Sequence, residues 1–261
     1  MRSIALIASL IALSNLVIGQ TTDFKNQPWV NGYPIVLDAY RLNGIDYEKL
    51  RNTQKVTAII YKASHGLTAD VKYKKSIQTA QANGFLVASY HLGTNIDPIK
   101  QADFYLAQIG EGKNQPMALD IEAIGGNNIS LPDAEKFIKR IHEKTGKYPL
   151  IYVNNAVFES INKRYDANSV FAKCGLWYAR FLNTLPNLST RVWNKVTLWQ
   201  FACEINCQVC AQKDAKGNCI RREPRYTLNC PFRVDGTLYD IDINAFNGTT
   251  SNLTSFWNSF N

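Results

Sequence analysis

Two carboxylates lie two residues apart in the apolar run Met117-Ala-Leu-Asp-Ile-Glu122. On a β-strand, Asp120 and Glu122 point to the same face, with Cα atoms about 6–7 Å apart. Two carboxyl groups in one environment repel, so one keeps its proton to a higher pH than the other. A proton donor beside an ionised carboxylate is the pairing that glycoside hydrolysis needs. The alternative is a structural role, either in an ion pair or as a cap for the following loop.

Further acidic residues interrupt other apolar runs that resemble strands. Asp38 ends the run Ile35-Val-Leu-Asp38, and Asp240 and Asp242 lie in the run 237–243. The first and last strands of a closed barrel are neighbours, so Asp38 should approach the final pair. Acidic residues in three strands favour a catalytic site over a structural role for the first pair.

Aromatic residues lie in or at the ends of the same apolar runs: Tyr61, Tyr90, Tyr152, Trp177, Tyr178 and Trp199. Rings can stack on the apolar faces of sugars and phenols can bond to their hydroxyls, although core packing is the alternative for any single ring. His91 is interpreted as a structural or substrate-contacting imidazole. No zinc-type histidine cluster, Gly-X-Ser-X-Gly elbow, phosphate loop or His-Glu-X-X-His motif is present, so neither a metal nor a cofactor is predicted.

Apolar runs alternate with amphipathic segments along the chain. The eight predicted strands are Ile35–Asp38, Val56–Lys62, Phe85–His91, Pro116–Glu122, Tyr148–Val153, Gly175–Ala179, Val196–Phe201 and Thr237–Ile243. The predicted helices are Asp46–Asn52, Val71–Asn83, Pro98–Ile109, Leu131–Thr145 and Asn155–Arg164. This alternation predicts a parallel sheet that is buried on both faces. Eight strands favour a single α/β domain, a modified TIM-like β/α barrel whose helices are reduced in the C-terminal third.

The first residues have the features of a signal peptide. Arg2 is followed by an uncharged stretch from Ile4 to Ile18 and then by Gly19, so residues 1–19 are predicted to be removed and residues 20–261 to form the catalytic domain. The formal net charge of +8 suits contact with anionic bacterial walls, and equally nucleic acid or membrane lipid. The chain has no dense basic tract with interleaved aromatics and no second long apolar segment. We therefore expect a secreted monomer, in an extracellular, phagosomal or lysosomal setting, that neither binds nucleic acid nor inserts into membranes.

Six cysteines are concentrated in the last third of the chain: Cys174, Cys203, Cys207, Cys210, Cys219 and Cys230. In an exported protein an even number of cysteines favours disulfides, and zinc is the alternative for such spacing. The pairing cannot be chosen from the sequence. Residues 203–230 are predicted to form a disulfide-rich insertion. Four glycosylation sequons agree with export, at Asn128, Asn187, Asn247 and Asn252.

The order of several short motifs resembles that of the Chalaropsis-type lysozymes, glycoside hydrolase family 25. The matching segments are Leu37-Asp-Ala-Tyr40, Gly44-Ile-Asp-Tyr47, Lys62-Ala-Ser-His-Gly66, Tyr90-His-Leu92, Gln101-Ala-Asp-Phe104, Asp120-Ile-Glu122, Leu176-Trp-Tyr-Ala179, Trp199-Gln200 and Ile241-Asp-Ile-Asn-Ala-Phe246. The resemblance covers nearly all of residues 20–261. It implies a modified β/α barrel that cleaves the β-1,4 bond between N-acetylmuramic acid and N-acetylglucosamine in bacterial peptidoglycan.

The resemblance also implies roles for individual residues. Glu122 matches the general acid/base, and Asp120 matches the residue that stabilises an acetamido-derived intermediate or acts as the nucleophile. Asp38 and Asp242 match two further acids of the site, while Asp240 has no counterpart. The candidate substrate-binding residues are Tyr61, Tyr90, His91, Tyr152, Trp177, Trp199 and Gln200.

Two features depart from the family pattern. His65 stands where the family usually has Glu, and the cysteine-rich segment after Trp199 is an elaboration that should border the cleft. Two other functions stay open at this point: a non-catalytic barrel that binds peptidoglycan or chitin, and a chitinase-like hydrolase.

Overall fold

The structure is a computed structural model that describes residues 24, 27–28, 32–53, 56–122, 126–203, 208–217, 219–224, 234, 236–237 and 241–260. The strands are β1 (Ile35–Ala39), β2 (Val56–His65), β3 (Thr68–Ala69), β4 (Leu86–Leu92), β5 (Met117–Ile121), β6 (Leu150–Asn154), β7 (Leu176–Ala179), β8 (Val196–Ala202), β9 (Gln208–Lys213), β10 (Cys219–Pro224) and β11 (Asp242–Phe246). The helices are α1 (Tyr47–Asn52), α2 (Tyr73–Ala82), α3 (Pro98–Ile109), α4 (Leu131–Thr145), α5 (Asn155–Arg164) and α6 (Thr250–Asn258). The predicted signal peptide lies outside the described residues.

Eight strands close into a barrel in the order β1-β2-β4-β5-β6-β7-β8-β11, and β11 pairs with β1 to complete the ring. The neighbours from β1 through β8 run parallel, whereas β11 runs antiparallel to both β8 and β1. Strand β3 extends one edge beside β2, and β9 and β10 form a separate hairpin. The prediction of a modified TIM-like barrel is confirmed, and the predicted parallel sheet holds for every barrel strand except β11.

The last barrel strand lies later in the chain than predicted. The sequence favours residues 237–243, whereas β11 begins at Asp242. Because β11 is antiparallel, its first residue lies at the same end of the barrel as the last residues of the parallel strands. Asp242 therefore reaches the neighbourhood of Asp38 from the start of its strand.

The strand pleat divides the core into two apolar layers, since successive side chains point to opposite faces. The layer inside the barrel includes Val36, Ala58, Ile60, Ala88, Ala118, Leu150, Trp177 and Leu198. The layer between the barrel and the surrounding helices includes Leu37, Ile59, Val87, Leu119, Ile151, Leu176 and Phe201. Burial on both faces explains why the strands read as nearly continuous apolar runs.

The helix boundaries follow local capping signals. Ser130 accepts a hydrogen bond from the Asp133 backbone N–H at 3.2 Å at the start of α4, and Gly146 ends that helix at φ 71°. The bounds predicted for α3, α4 and α5 are confirmed. Among the described residues between the end of β7 and the start of β11 none is helical, as the predicted loss of helices requires.

Helix α6 is a feature that the sequence reasoning missed. Its Leu253 and Trp257 join the inner layer of the core, beside Phe246 at the end of β11. The Trp257 indole N–H donates to the Val87 carbonyl oxygen at 2.9 Å, near the start of β4. The C-terminal helix therefore closes the end of the barrel that lies opposite the strand C-termini. No helix among the described residues is long and apolar enough to cross a membrane.

The structure contradicts the disulfide prediction at Cys174. Cys174 is a buried free thiol whose Sγ donates to the Val170 carbonyl oxygen at 3.5 Å. It precedes β7, where Leu176 pairs with Val196, whereas Cys203 follows the far end of β8. About seven strand residues separate Cys174 from Cys203 along the barrel, which corresponds to about 20 Å. A disulfide cannot span that distance. For the other candidates, the side chains of Cys210 and Cys219 and all of Cys207 and Cys230 lie outside the described part of the chain.

Candidate active site

A cleft of about 240 Å³ opens at the C-terminal end of the parallel strands. This is the end of a β/α barrel where catalytic side chains are found. The cleft is lined by Asp38, Ala39, Tyr40, Asn43, Lys62, Tyr90, Leu92, Asp120, Glu122, Tyr152, Trp177 and Asp242. All four acids that the sequence predicted as catalytic are among these residues.

Each acid reaches the cleft from a defined strand position. Asp120 lies in β5 and Glu122 directly follows it, so the two-residue spacing directs both side chains inward. Asp38 in β1 is opposite Asp242 in β11 in the antiparallel register. Asp240 lies outside the described residues. The described residues contain no group of three or more His, Cys, Asp and Glu side chains that is arranged to hold a metal ion.

The two carboxyl groups of β5 bind protons more tightly than ordinary acids. Burial raises the pKa of Asp120 well above its usual value, and the charges of Glu122 and Asp38 raise it further, while Lys62 opposes them. Burial also raises the pKa of Glu122. The two groups interact, so their protons are released in steps that belong to the pair. This is an acid/base pair that can hold one proton where isolated carboxyls would be fully ionised.

Asp120 also has an oxygen without a protein partner. Its Oδ1 is buried and accepts no hydrogen bond from any described residue. A buried acceptor of this kind is costly unless a ligand or a bound proton satisfies it. It therefore marks Asp120 as a group that can receive a donor from a molecule in the cleft.

Two side-chain amides lie beneath the acidic residues of the cleft and donate hydrogen bonds to them. Gln200 Nε2 donates to Asp38 Oδ2 at 3.1 Å and to Asp242 Oδ2 at 3.2 Å. Asn244 Nδ2 donates to Asp38 Oδ2 at 2.7 Å and Asn244 Oδ1 accepts from the Trp177 indole N–H at 2.6 Å. Gln200 is thus placed below the cleft surface, where it supports the acids instead of lining the cleft as predicted. Sequence reasoning did not single out Asn244.

Three of the predicted aromatic residues line the cleft. Tyr90 and Tyr152 both pack edge-on against the Trp177 ring, with centroid distances of 6.3 and 4.9 Å. Burial raises the pKa of both phenols well above the usual value, so their hydroxyl groups stay protonated. The cleft therefore presents an apolar wall with hydrogen-bonding edges beside the acids.

Tyr61 and Trp199 do not reach the cleft, and their predicted role in substrate binding is wrong. Tyr61 packs outside the barrel against Tyr73 of α2, with ring centroids 6.4 Å apart. The Trp199 ring contacts Phe24, and its indole N–H donates to the Arg180 carbonyl oxygen at 2.6 Å. In each strand the neighbouring residues face the barrel interior, so the side chains of Tyr61 and Trp199 point outward.

His91 has the structural one of its two predicted roles, and it does not line the cleft. The ring is fully buried outside the barrel and stacks on Phe137 of α4 at a centroid distance of 5.0 Å. Gln101 Oε1 lies 3.2 Å from His91 Nε2, and the Ser64 hydroxyl lies 2.8 Å from Nδ1. Gln101 Nε2 donates to the carbonyls of Thr94 and Ile96, so its Oε1 is an acceptor and His91 carries its proton on Nε2. Burial lowers the pKa of His91 to about 4.

Some cleft residues escaped the sequence reasoning, chiefly Tyr40, Asn43 and Lys62. Lys62 Nζ lies 4.3 Å from the centroid of the Tyr40 ring and faces the acids from β2. A polar residue at the end of an apolar strand is the same signal that identified Asp38, and it could have identified Lys62. His65, at the end of β2, has its pKa lowered by partial burial and by the charges of Lys62 and Arg41. His65 therefore lies close to the positive charges of Lys62 and Arg41 and does not line the cleft.

Comparisons with known proteins agree with this geometry. The Uncharacterized protein YegX of Escherichia coli is 24% identical over 238 residues, which cover 84% of this chain and 74% of that protein. The N,O-diacetylmuramidase of Chalaropsis sp. is 28% identical over 136 residues, which cover 47% of this chain and 64% of that enzyme. The bacterial lysozyme from Streptomyces coelicolor shares the fold at a TM-score of 0.67 and 18% identity, over 88% of this chain and 99% of its own.

The sequence profile of Glycosyl hydrolases family 25 matches residues 37–208. That match covers about two thirds of the chain and includes Asp38, Asp120 and Glu122. Together with the acid-lined barrel mouth, it shows that this chain belongs to family 25 of the glycosyl hydrolases.

Proposed function

We propose that this protein is a secreted lysozyme that hydrolyses the β-1,4 bond between N-acetylmuramic acid and N-acetylglucosamine in bacterial peptidoglycan. The observation that carries the proposal is that Asp120 and Glu122 both line the cleft at the mouth of a family 25 barrel, where burial raises the pKa of each carboxyl. The muramidase name of the Chalaropsis relative supports this choice of substrate. Export rests on the sequence of residues 1–19 alone.

Glu122 is the general acid and base in this proposal. It is less buried than Asp120 and lines the cleft, so its carboxyl is the more accessible of the two to a glycosidic oxygen. Glu122 gives its proton to the leaving-group oxygen as the C1–O bond breaks. It then takes a proton from the water that attacks C1, which restores the starting state.

Asp120 stabilises the intermediate. The acetamido carbonyl oxygen of the substrate attacks C1, and the acetamido N–H donates to the Asp120 carboxylate. Its unpartnered Oδ1 suits this contact. A hydrogen bond to the charged form favours ionisation of Asp120, so substrate binding moves the proton of the pair to Glu122. The direct nucleophile is the less favoured role for Asp120, because its charge is already disfavoured by burial and by two neighbouring acids.

The aromatic wall of the cleft fits a sugar chain. Trp177 is buried and supports the rings of Tyr90 and Tyr152, which pack edge-on against it and line the cleft. Such surfaces match the apolar faces and polar rims of pyranose rings. Lys62 lines the same cleft, and its positive charge suits the acidic substituents of peptidoglycan.

The test is mass spectrometry of the products released from purified peptidoglycan. We expect muramic acid at the new reducing ends, and a loss of about 10³-fold or more in rate for Glu122→Gln with the fold intact by circular dichroism. Glu143→Gln on the exposed face of α4 is the matched control. Binding of glycan without new reducing ends would show a lectin-like barrel, and faster cleavage of chitin oligomers would show a chitinase-like enzyme.

A further inference from the structure

Most of the exposed large apolar side chains lie along one side of the barrel mouth. Of the six such residues in the described part of the chain, only Ile220 lies elsewhere, in the β9–β10 hairpin. The other five lie in the connections that follow β1, β2 and β4, which are neighbouring strands of the barrel, and in the first turn of α3. These five residues, here called the apolar rim, are Leu42, Leu67, Val71, Ile96 and Ile99.

Contacts between the three connections make the apolar rim continuous. The backbone N–H groups of Arg41 and Lys72 donate to the two carboxylate oxygens of buried Asp70, each at 3.0 Å. This joins the connection after β1 to the connection after β2. Gly66 then contacts the connection after β4, since an added Cβ at Gly66 would lie 3.4 Å from Ile96 Cδ1. The five apolar side chains therefore lie along one stretch of surface.

Exposed basic residues accompany the apolar rim. In each connection one of them directly adjoins a rim residue in sequence, and two more lysines lie in the first turn of α2: Arg41, Lys72, Lys74, Lys75 and Lys100. The same connections contain three acids, and each of these accepts hydrogen bonds from backbone N–H groups: Asp46, Asp70 and Asp97. The surface thus combines exposed apolar groups with an excess of positive charge.

We propose that the apolar rim docks the protein peripherally on an anionic lipid surface. The apolar side chains enter the boundary between headgroups and acyl chains, and the basic residues beside them contact lipid phosphates. An anionic wall polymer would satisfy the charges but would leave the apolar side chains in water. A second copy of this chain would cover the apolar side chains but would bring like charges together. Lipid docking of this kind does not depend on the lysozyme assignment.

The apolar rim borders the substrate cleft. Tyr40 and Asn43, on either side of Arg41 and Leu42, both line that cleft. A protein that is docked through the rim therefore has its cleft close to the lipid headgroups. The opposite end of the barrel, which α6 closes, then faces the solvent.

The experiment is flotation of the purified protein with vesicles that contain equal parts of phosphatidylglycerol and phosphatidylcholine. The protein used begins after residue 19, because the apolar stretch from Ile4 to Ile18 would itself bind lipid. We expect binding in about 0.1 M NaCl and weaker binding in about 0.5 M NaCl, since salt screens the charges. Vesicles of phosphatidylcholine alone should bind the protein weakly. Failure to bind the anionic vesicles overturns the proposal.

Two double variants separate the apolar and the charged parts of the surface. Leu42→Ser with Val71→Ser removes the two most exposed apolar side chains, which are 66% and 85% exposed, and should weaken vesicle binding by about 10-fold or more. Lys72→Gln with Lys100→Gln removes two charges and should weaken binding at low salt by about 10-fold or more. All four positions are exposed, so the fold should stay intact by circular dichroism.

Matched controls lie elsewhere on the protein. Ile220→Ser changes an apolar residue outside the rim that is 59% exposed. Lys163→Gln with Lys195→Gln removes two exposed charges at the other end of the barrel, since Lys163 lies in the last turn of α5 and Lys195 directly precedes β8. We expect neither control to change vesicle binding.

Three further outcomes would overturn the proposal. Equal losses in the rim variants and the controls would show attraction by net charge and general hydrophobicity alone. A loss in the lysine variant without one in Leu42→Ser with Val71→Ser would indicate a surface for anionic polymers. A dimer of the wild type in analytical ultracentrifugation that Leu42→Ser with Val71→Ser dissociates would show that the rim is an interface between two copies.

Discussion

Asp38 and Asp242 occupy opposite positions in the antiparallel pair of β1 and β11, and a single nitrogen atom, Gln200 Nε2, donates to both. Both carboxylates raise the pKa of Asp120, with Asp38 having the larger effect. The closure of the barrel therefore does more than complete the sheet. It brings two like charges close to the acid/base pair of β5, and one shared amide keeps them at fixed positions.

Neutralising Asp242 tests this electrostatic link. In Asp242→Asn one negative charge that favours proton retention by Asp120 is lost, so the pKa values of the coupled pair fall. We expect the alkaline limb of the pH profile of kcat/KM on peptidoglycan to move to lower pH, and the limb in Asp38→Asn to move further. Glu143→Gln, on the outside of α4, should leave the profile in place. A limb that stays in place in both aspartate variants would show that the field of these acids does not reach the pair, and a limb that moves to higher pH would contradict the direction of the effect.

Strand periodicity was sufficient to find the acids, and it could have sorted the aromatic residues as well. Once Asp120 is placed inward, alternation along each strand decides between Tyr61 and Lys62, and between Trp199 and Gln200. In both cases the more polar residue faces the barrel interior and the ring packs under a helix or loop. The error was to include Tyr61 and Trp199 among the candidates, because aromatic residues fit a buried outer layer as well as a sugar site.

The direction and position of the last strand could not be read from the sequence. Both the run 237–243 and the run 242–246 contain alternating apolar residues, and Asn244 argues against the second. Asn244 is tolerated in β11 because Trp177, Val36 and Asp38 satisfy its amide, and these partners lie far away in the chain. Helix α6 was missed for a related reason. Its short apolar stripe indicates a buried helix only once the open end of the barrel against which it packs is known.

The buried imidazole of His91 should make stability depend on pH. Its pKa is about 4 in the fold against 6.5 for the free side chain, so the unfolded chain binds the proton more readily between these values. The contribution of neutral His91 is thus fully present above pH 6.5 and is lost as the pH falls toward 4. We expect this group alone to lower the free energy of unfolding by about 2 kcal/mol between pH 7 and pH 5.

Chemical denaturation at the two pH values measures that effect as a difference between proteins. His91→Phe keeps the stacking on Phe137 and removes the titrating group, so its stability should fall less between pH 7 and pH 5 than that of the wild type. His142→Gln leaves the network of Ser64, His91 and Gln101 intact and should behave as the wild type. Equal losses in the wild type and His91→Phe would mean that His91 does not titrate in this range.

Gly236 packs against the start of α1, and we expect it to tolerate no side chain. Its φ of +95° is in the left-handed region, and an added Cβ would lie 2.7 Å from the Leu50 backbone nitrogen and 2.9 Å from the Asp46 carbonyl oxygen. Neither backbone atom can move freely, because the Asp46 N–H donates to the Gly236 carbonyl at 2.8 Å and α1 begins there. Gly236→Ala should lower the free energy of unfolding by about 2–4 kcal/mol, from backbone strain and overpacking together.

Gly84→Ala separates these two causes. Gly84 has a similar φ of +83°, but no atom lies within 4 Å of its added Cβ, so the substitution there carries the backbone strain alone. We expect a loss of about 1 kcal/mol at Gly84 in the same denaturation experiment. A loss at Gly236 no larger than that at Gly84 would show that Gly236 moves away from α1 at little cost. The excess loss at Gly236 therefore measures how firmly its backbone is fixed against the start of α1, where its carbonyl oxygen accepts from the Asp46 N–H.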